Sequence, residues 1–174
     1  NVVQAESSNV NENIPYMLNY IDNVLAGTYT YTLEAIEVAG GDFQFGEANG
    51  PVITAVELTG RNWNQQIGSQ TTLNDVTGEI ISVNLSTNGG PVQVIVTGDA
   101  NPISGTGEWV QLQLFRDGVA IGNIVQAESS AQNENVPYAI NYIDLPQSGN
   151  YVYSLRAVDI NGNFIFGEAS GPVI

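Results

Sequence analysis

The stretch NVVQAESSNVNENIPYMLNYID at residues 1–22 returns as NIVQAESSAQNENVPYAINYID at residues 123–144, and the likeness runs on to the end of both copies. Aligning residues 1–53 with 123–174, with one gap opposite Asp42, gives 31 identities in 52 positions. The shared landmarks are QAESS, NENxPY, NYID, GxYxY and FGEAxGPVI. An internal repeat of this kind limits the possible architectures more than any other feature of a sequence. With the repeated stretch called segment B and residues 54–122 segment A, the chain reads B–A–B. Two organisations compete. Segments A and B could together build one domain of roughly 120 residues, a common domain size. Alternatively, A and B could be small domains that alternate. A segment B of about fifty residues, with three or four strands and no disulfide or metal staple, is marginal on its own. The first organisation is therefore preferred. It makes residues 1–53 the second half of a repeat unit, with partner strands from a neighbouring unit, and residues 54–174 a complete unit.

The residue pattern within both segments is that of strands. EIISVNLS (79–86) alternates Ile81, Val83 and Leu85 with Ser82 and Asn84. VQVIVT (92–97) and VQLQLF (110–115) alternate in the same way, the latter turning Val110, Leu112 and Leu114 inward. NYVYSLRAV (150–158) lines up Tyr151, Tyr153, Leu155 and Ala157, and its first-copy counterpart lines up Tyr29, Tyr31, Leu33 and Ala35. Period-two alternation of β-branched and aromatic residues predicts half-buried antiparallel strands. Asp117-Gly118 between two such runs is a two-residue hairpin signal. Asn161-Gly162, Gly40-Gly41 and Asn88-Gly89-Gly90 mark further turns. Eight or nine strands per A–B unit predict an all-β fold, an antiparallel β-sandwich of jelly-roll or immunoglobulin-like outline. About one and a half copies of the tandem repeat are present.

Composition narrows the function by what it lacks. There is no Cys, no His and no Lys, and the basic residues are Arg61, Arg116 and Arg156. That removes disulfides, thiolate metal sites and thiol nucleophiles. It also removes the usual general base and Schiff-base chemistry. Catalysis by carboxylates alone would need a cleft that nothing here indicates, so no enzymatic activity is expected. Eighteen acidic residues against three basic ones give a net charge of −15, which disfavours nucleic acid and anionic membrane surfaces as partners. No run of apolar residues is long enough for a membrane-spanning helix. The scarcity of basic residues leaves few trypsin sites, as suits an exposed, durable object outside the cell.

The block LQLFRDGVAIG…YIDLPQSGNYVYSLRAV (residues 112–122 and 142–158) resembles β-sandwich modules at the ends of collagen-like spore-surface proteins and in phage fibre proteins. The resemblance covers about 55 residues of each unit. It consists of a strand, RDG, a second strand, a Y-I-D strand end and a G-x-Y-x-Y-x-L strand. It implies a trimeric or polymeric surface appendage without enzymatic activity. This chain lacks the collagen-like Gly-X-Y tract and the cross-linking cysteines of some spore appendages, so any polymer would be held non-covalently.

Several residues are candidates for a site. Asp22 and Asp144 end the NYID strands; with Glu12 and Glu134 of the ESSNVNEN and ESSAQNEN loops they form a candidate calcium set. The alternative for each Asp is a turn cap on its own backbone. No other cofactor is expected. Glu47 and Glu168 lie where one unit hands over to the next, with Arg116 the first candidate for an ion pair. Trp63 and Asn64, in GRNWNQQIG, form a candidate glycan platform, because an aromatic ring beside amides can stack on a sugar. Trp109 begins an alternating strand and reads as core or sheet rim. Pro51, Val52, Ile53, Val56, Pro172, Val173 and Ile174 are the candidate assembly interface.

These readings predict a structural subunit or repeat of an extracellular filament or surface appendage, on a cell, spore or virion. Its partners are copies of itself, as a homopolymer or a longer tandem array, joined head to tail by strand complementation or tight stacking. The competing reading is a carbohydrate- or receptor-binding adhesin module, calcium-dependent or not, with a glycan receptor as partner.

Overall fold

The computed structural model of the chain describes residues 16–22, 24–36, 53, 55, 62–168 and 171–174, and every regular element among them is a β-strand. In chain order these are β1 (Thr71–Asn74), β2 (Gly78–Asn88), β3 (Val92–Pro102), β4 (Trp109–Arg116), β5 (Val119–Glu128), β6 (Val136–Asp144), β7 (Ser148–Asn161) and β8 (Asn163–Phe166). They form two four-stranded antiparallel sheets, ordered β1-β8-β3-β6 and β2-β7-β4-β5. Apolar side chains from both sheets share one core, so the fold is an all-β antiparallel sandwich, as the alternation predicts. The described residues include no helix that could cross a membrane.

Alternation decides which face each strand buries. In β4 the inward residues Val110, Leu112 and Leu114 are fully buried, and in β7 Tyr153, Leu155 and Ala157 are as well. Leu155 lies between Ile81 of β2 and Leu114 of β4, and Tyr153 between Val83 and Arg116. This three-strand layer packs against Val94, Val96, Tyr138, Ile140, Phe164 and Phe166 of the other sheet. Where strict alternation fails, the ladder has an irregularity. The β2–β7 register shifts between Glu79 and Ile81, and both Ile80 and Ile81 are buried.

The turns serve two purposes. Asp117 and Gly118 adopt φ of 49° and 78° and link β4 to its sheet neighbour β5, the positive-φ pair that a tight hairpin requires. Gly89, Gly90 and Gly162, also at positive φ, instead carry the chain from one sheet to the other, since β2 and β3, like β7 and β8, belong to different sheets. Strand β3 outruns the expectation. Residues 97–102 (TGDANP), whose Gly, Asp, Asn and Pro suggest a turn, stay in the strand and are buried. At Gly98 an added Cβ would lie 2.5 Å from the Tyr138 hydroxyl, so glycine makes room for that ring.

Pro172–Ile174 complete the same sandwich. Val173 exchanges both backbone hydrogen bonds with Thr97 (2.8 and 3.0 Å), and Ile174 does so with Gln66 (2.9 and 3.0 Å). Val173 and Ile174 are buried. The expectation that Pro172, Val173 and Ile174 form an interface to another molecule is corrected accordingly, because their apolar surface and backbone groups are used inside the unit. Pro51, Val52 and Val56 lie outside the described residues, and Ile53 is exposed.

The chain divides into two compact units, one of residues 1–21 and 62–174 and the other of residues 22–61. In the second, the alternating stretch 28–36 was expected to be a strand, and the structure shows none there.

Candidate interaction site

The most specific side-chain arrangement is built on the end of β6 and the middle of β7. The NYID motif brings Asp144 to the last position of β6, where its carboxylate is almost fully buried. The Arg116 guanidinium at the end of β4 donates to both carboxylate oxygens, at 2.8 and 2.9 Å. The Tyr153 hydroxyl donates at 2.8 Å and the Leu145 backbone N–H at 2.9 Å. Burial, reinforced by the carboxylate it donates to, pushes the Tyr153 hydroxyl well above its usual range, so it stays a donor at every physiological pH. Arg116 also lies 5.4 Å from the Tyr151 ring centroid. This clasp ties one sheet to the other, β4 and β7 to β6. The expected Arg116–Glu168 pair is corrected: Arg116 goes to Asp144. Glu168 instead accepts from the amides of Asn101 and Asn135, and its backbone N–H donates to Asp99.

The first copy keeps part of the clasp. Tyr31, the counterpart of Tyr153, donates to Asp22, the counterpart of Asp144, at 3.3 Å. The side chains around them differ in environment from their equivalents. Tyr29, Tyr31 and Leu33 are 47%, 45% and 51% exposed, whereas Tyr153 and Leu155 are 1% and 0%. The ion pairs among the described residues are Arg116–Asp144 and Arg156–Glu79.

The described candidate calcium ligands are each held by protein donors. Glu134 Oε2 accepts from the Ser129 hydroxyl (2.7 Å) and from the backbone N–H groups of Ser130 and Ala131 (3.1 and 3.3 Å), so it closes its own loop. Asp144 is engaged by Arg116 and Tyr153, and Asp22 by Tyr31. Among the described residues no three acidic side chains gather as a metal site would need, and Glu12 lies outside them. The turn-cap alternative describes part of what Asp144 does, through its own Leu145 N–H.

Trp63 stands 47% exposed in the segment before β1. Asn64 beside it is tied down, its side-chain amide donating to the Asn84 carbonyl at 2.7 Å and its carbonyl accepting from the Gln65 N–H at 2.9 Å. The geometry is that of a ring on a fixed base at the edge strand β2. A recess of about 230 Å³ between β5 and β6 is lined by Leu114, Val125, Ile140 and Tyr142, among others. It is smaller than the ~300–1,000 Å³ of most small-molecule pockets. Sequence reasoning missed the clasp, although its parts were in view: NYID, GxYxY and RDG each contribute one member. Nothing in the linear order says that they meet.

No protein family and no curated protein matches the sequence. Among solved structures, the C-terminal domain of EclA, described as a sugar-binding protein, aligns over 76% of this chain and 89% of that domain, with a TM-score of 0.40 and 17% identity. At that level of likeness, the neighbour's ligand belongs to the neighbour alone.

Proposed function

We propose that this chain is a structural module of a repetitive extracellular appendage, in which A–B sandwiches follow one another end to end and no chemistry is performed. One observation carries the reading. Tyr-x-Tyr-x-Leu-x-Ala occurs twice: in the second copy Tyr153, Leu155 and Ala157 are buried and Tyr151 half-buried, whereas in the first copy the four positions are exposed. A stretch that is core in one context and surface in another is a joining element, since large exposed apolar residues at strand spacing mark a site of association. The absence of Cys, His and Lys and the net charge of −15 fit a durable polymer held by packing. Microscopy tests the reading. Polypeptides with two, four and eight A–B units should appear as rods whose length grows by a constant increment per unit. Collapsed or randomly jointed beads would contradict it.

A second reading is supported by Trp63. Its half-exposed ring, on a base fixed through Asn64, is suited to stacking on a sugar. Binding of native protein but not of Trp63→Ala to members of a glycan array would support carbohydrate recognition. Equal binding by both would remove it. The two readings are compatible, because an appendage can carry a sugar site on each unit.

A further inference from the structure

Resting on the repeat-module reading, we infer that the first copy is half of a sandwich whose other half is a second segment of the 54–122 type. Two observations lead there.

The first is the pattern of identity between the copies. Tyr29, Tyr31, Leu33 and Ala35 are identical to Tyr151, Tyr153, Leu155 and Ala157, the residues β7 turns toward the core. The intervening residues all differ: Thr30 for Val152, Thr32 for Ser154 and Glu34 for Arg156. Beside them Tyr16, Tyr20 and Asp22 match Tyr138, Tyr142 and Asp144, although there the exposed positions Asn141 and Ile143 are kept as well, as Asn19 and Ile21. The first copy therefore carries an inward face fitted to the neighbours that β7 has, namely a β2-like strand on one side and a β4-like strand on the other.

The second is the incomplete clasp. Tyr31 and Asp22 already hold each other, while the arginine completing the second-copy clasp comes from segment A, at Arg116. Among the described residues Arg116 is engaged by Asp144 and Arg156 by Glu79, and Arg61 lies outside them. An A-type segment would bring its own arginine to Asp22.

The register also specifies how the partner differs from residues 54–122. Glu79 faces Arg156 across β2 and β7. The first copy has Glu34 in that place, so an A segment with Glu at the Glu79 position would set two carboxylates opposite each other, which destabilises a sheet. The fitting partner carries a neutral or basic residue there.

The test extends the chain at its N-terminus with a second copy of residues 54–122, reproducing the natural Gly122–Asn123 junction as Gly122–Asn1. Amide exchange of residues 28–36 should slow at least 100-fold relative to the unextended chain. Replacing the added copy's Arg116 by Ala, or Asp22 by Asn, should reverse part of that protection, and Glu79→Arg in the added copy should increase it up to about fivefold. Because the chain has no cysteine, Thr30→Cys with Asn84→Cys in the added copy should cross-link, since Val152 pairs with Asn84. Unchanged exchange of residues 28–36, or cross-linking no better than with a cysteine at Ser148, overturns the inference. Loss of protection at residues 150–158 when 28–36 gain it also overturns it, because the two copies would then be competing for one segment. If 28–36 become protected but multi-unit chains do not form rods, the completion stands and the appendage reading fails. If rods form while 28–36 stay exposed, the appendage reading stands and the completion fails.

Discussion

One leucine occupies the same place of the Tyr-x-Tyr-x-Leu-x-Ala motif in both copies, and replacing it in each compares the two environments. Leu155 is fully buried in the middle of β7, between Ile81 and Leu114, with Phe164 and Phe166 in the shared core. Core Leu→Ala changes cost about 2–5 kcal/mol, more where the surroundings cannot collapse into the gap. Here the flanking residues are fixed by two hydrogen-bonded strands, so Leu155→Ala should cost about 3–4 kcal/mol. At roughly 4 °C per kcal/mol for a unit of this size, its melting temperature should fall by roughly 12–16 °C. Leu33 is 51% exposed, and Leu33→Ala should change stability by no more than about 0.5 kcal/mol. Urea denaturation followed by circular dichroism at two protein concentrations measures both. If Leu33→Ala costs as much as Leu155→Ala, the first copy is already packed in a core and the reasoning fails.

Other perturbations have equally definite outcomes. The pKa values of Tyr138 and Tyr153 are raised, chiefly by burial. The folded state therefore keeps protons that the unfolded chain releases above about pH 10. Their contribution to stability is complete below pH 10 and falls as pH rises beyond it, by up to about 1.4 kcal/mol per pH unit for each group. No lysine is present to titrate there, and Tyr31 is shifted upward too, by desolvation and the Asp22 carboxylate. Tyr138→Phe removes a buried hydroxyl that has no hydrogen-bond partner among the described residues, so it should be neutral or stabilising at pH 7 and should flatten the alkaline slope in urea titrations. Gly98→Ala would force Tyr138 out of position and should cost about 1–3 kcal/mol. Millimolar calcium or a chelator should leave the melting temperature unchanged within about 1 °C, since Asp144, Glu134 and Asp22 are engaged by protein donors. A site filled at a hundred times its dissociation constant would add about 2.7 kcal/mol instead.

What the sequence made legible follows from how local each signal is. Strands β4 and β7 could be read from side-chain period alone, because every second residue of each is apolar over three or four successive positions, and the hairpin at Asp117-Gly118 could be read because positive φ at two successive positions demands such residues. The end of β3 could not. Residues 97–102 are buried polar and small groups whose acceptability depends on partners far along the chain, such as Glu168 with Asn101 and Tyr138 against Gly98. The clasp was hidden for the same reason, as Arg116 and Asp144 are ordinary surface-type residues and Tyr153 an ordinary inward one until three strands bring them together. The first copy shows the opposite failure. Its alternation is as clear as that of β7, yet residues 28–36 form no strand. Pattern specifies which face a strand would bury, and only a neighbouring strand makes it one.

The most direct measurement is amide hydrogen exchange of the 174-residue chain, read separately for residues 28–36 and 150–158. If the partner strands rather than the local sequence decide the outcome, residues 150–158 should be protected by several orders of magnitude and 28–36 by less than about tenfold. Equal protection of the two stretches would contradict the account.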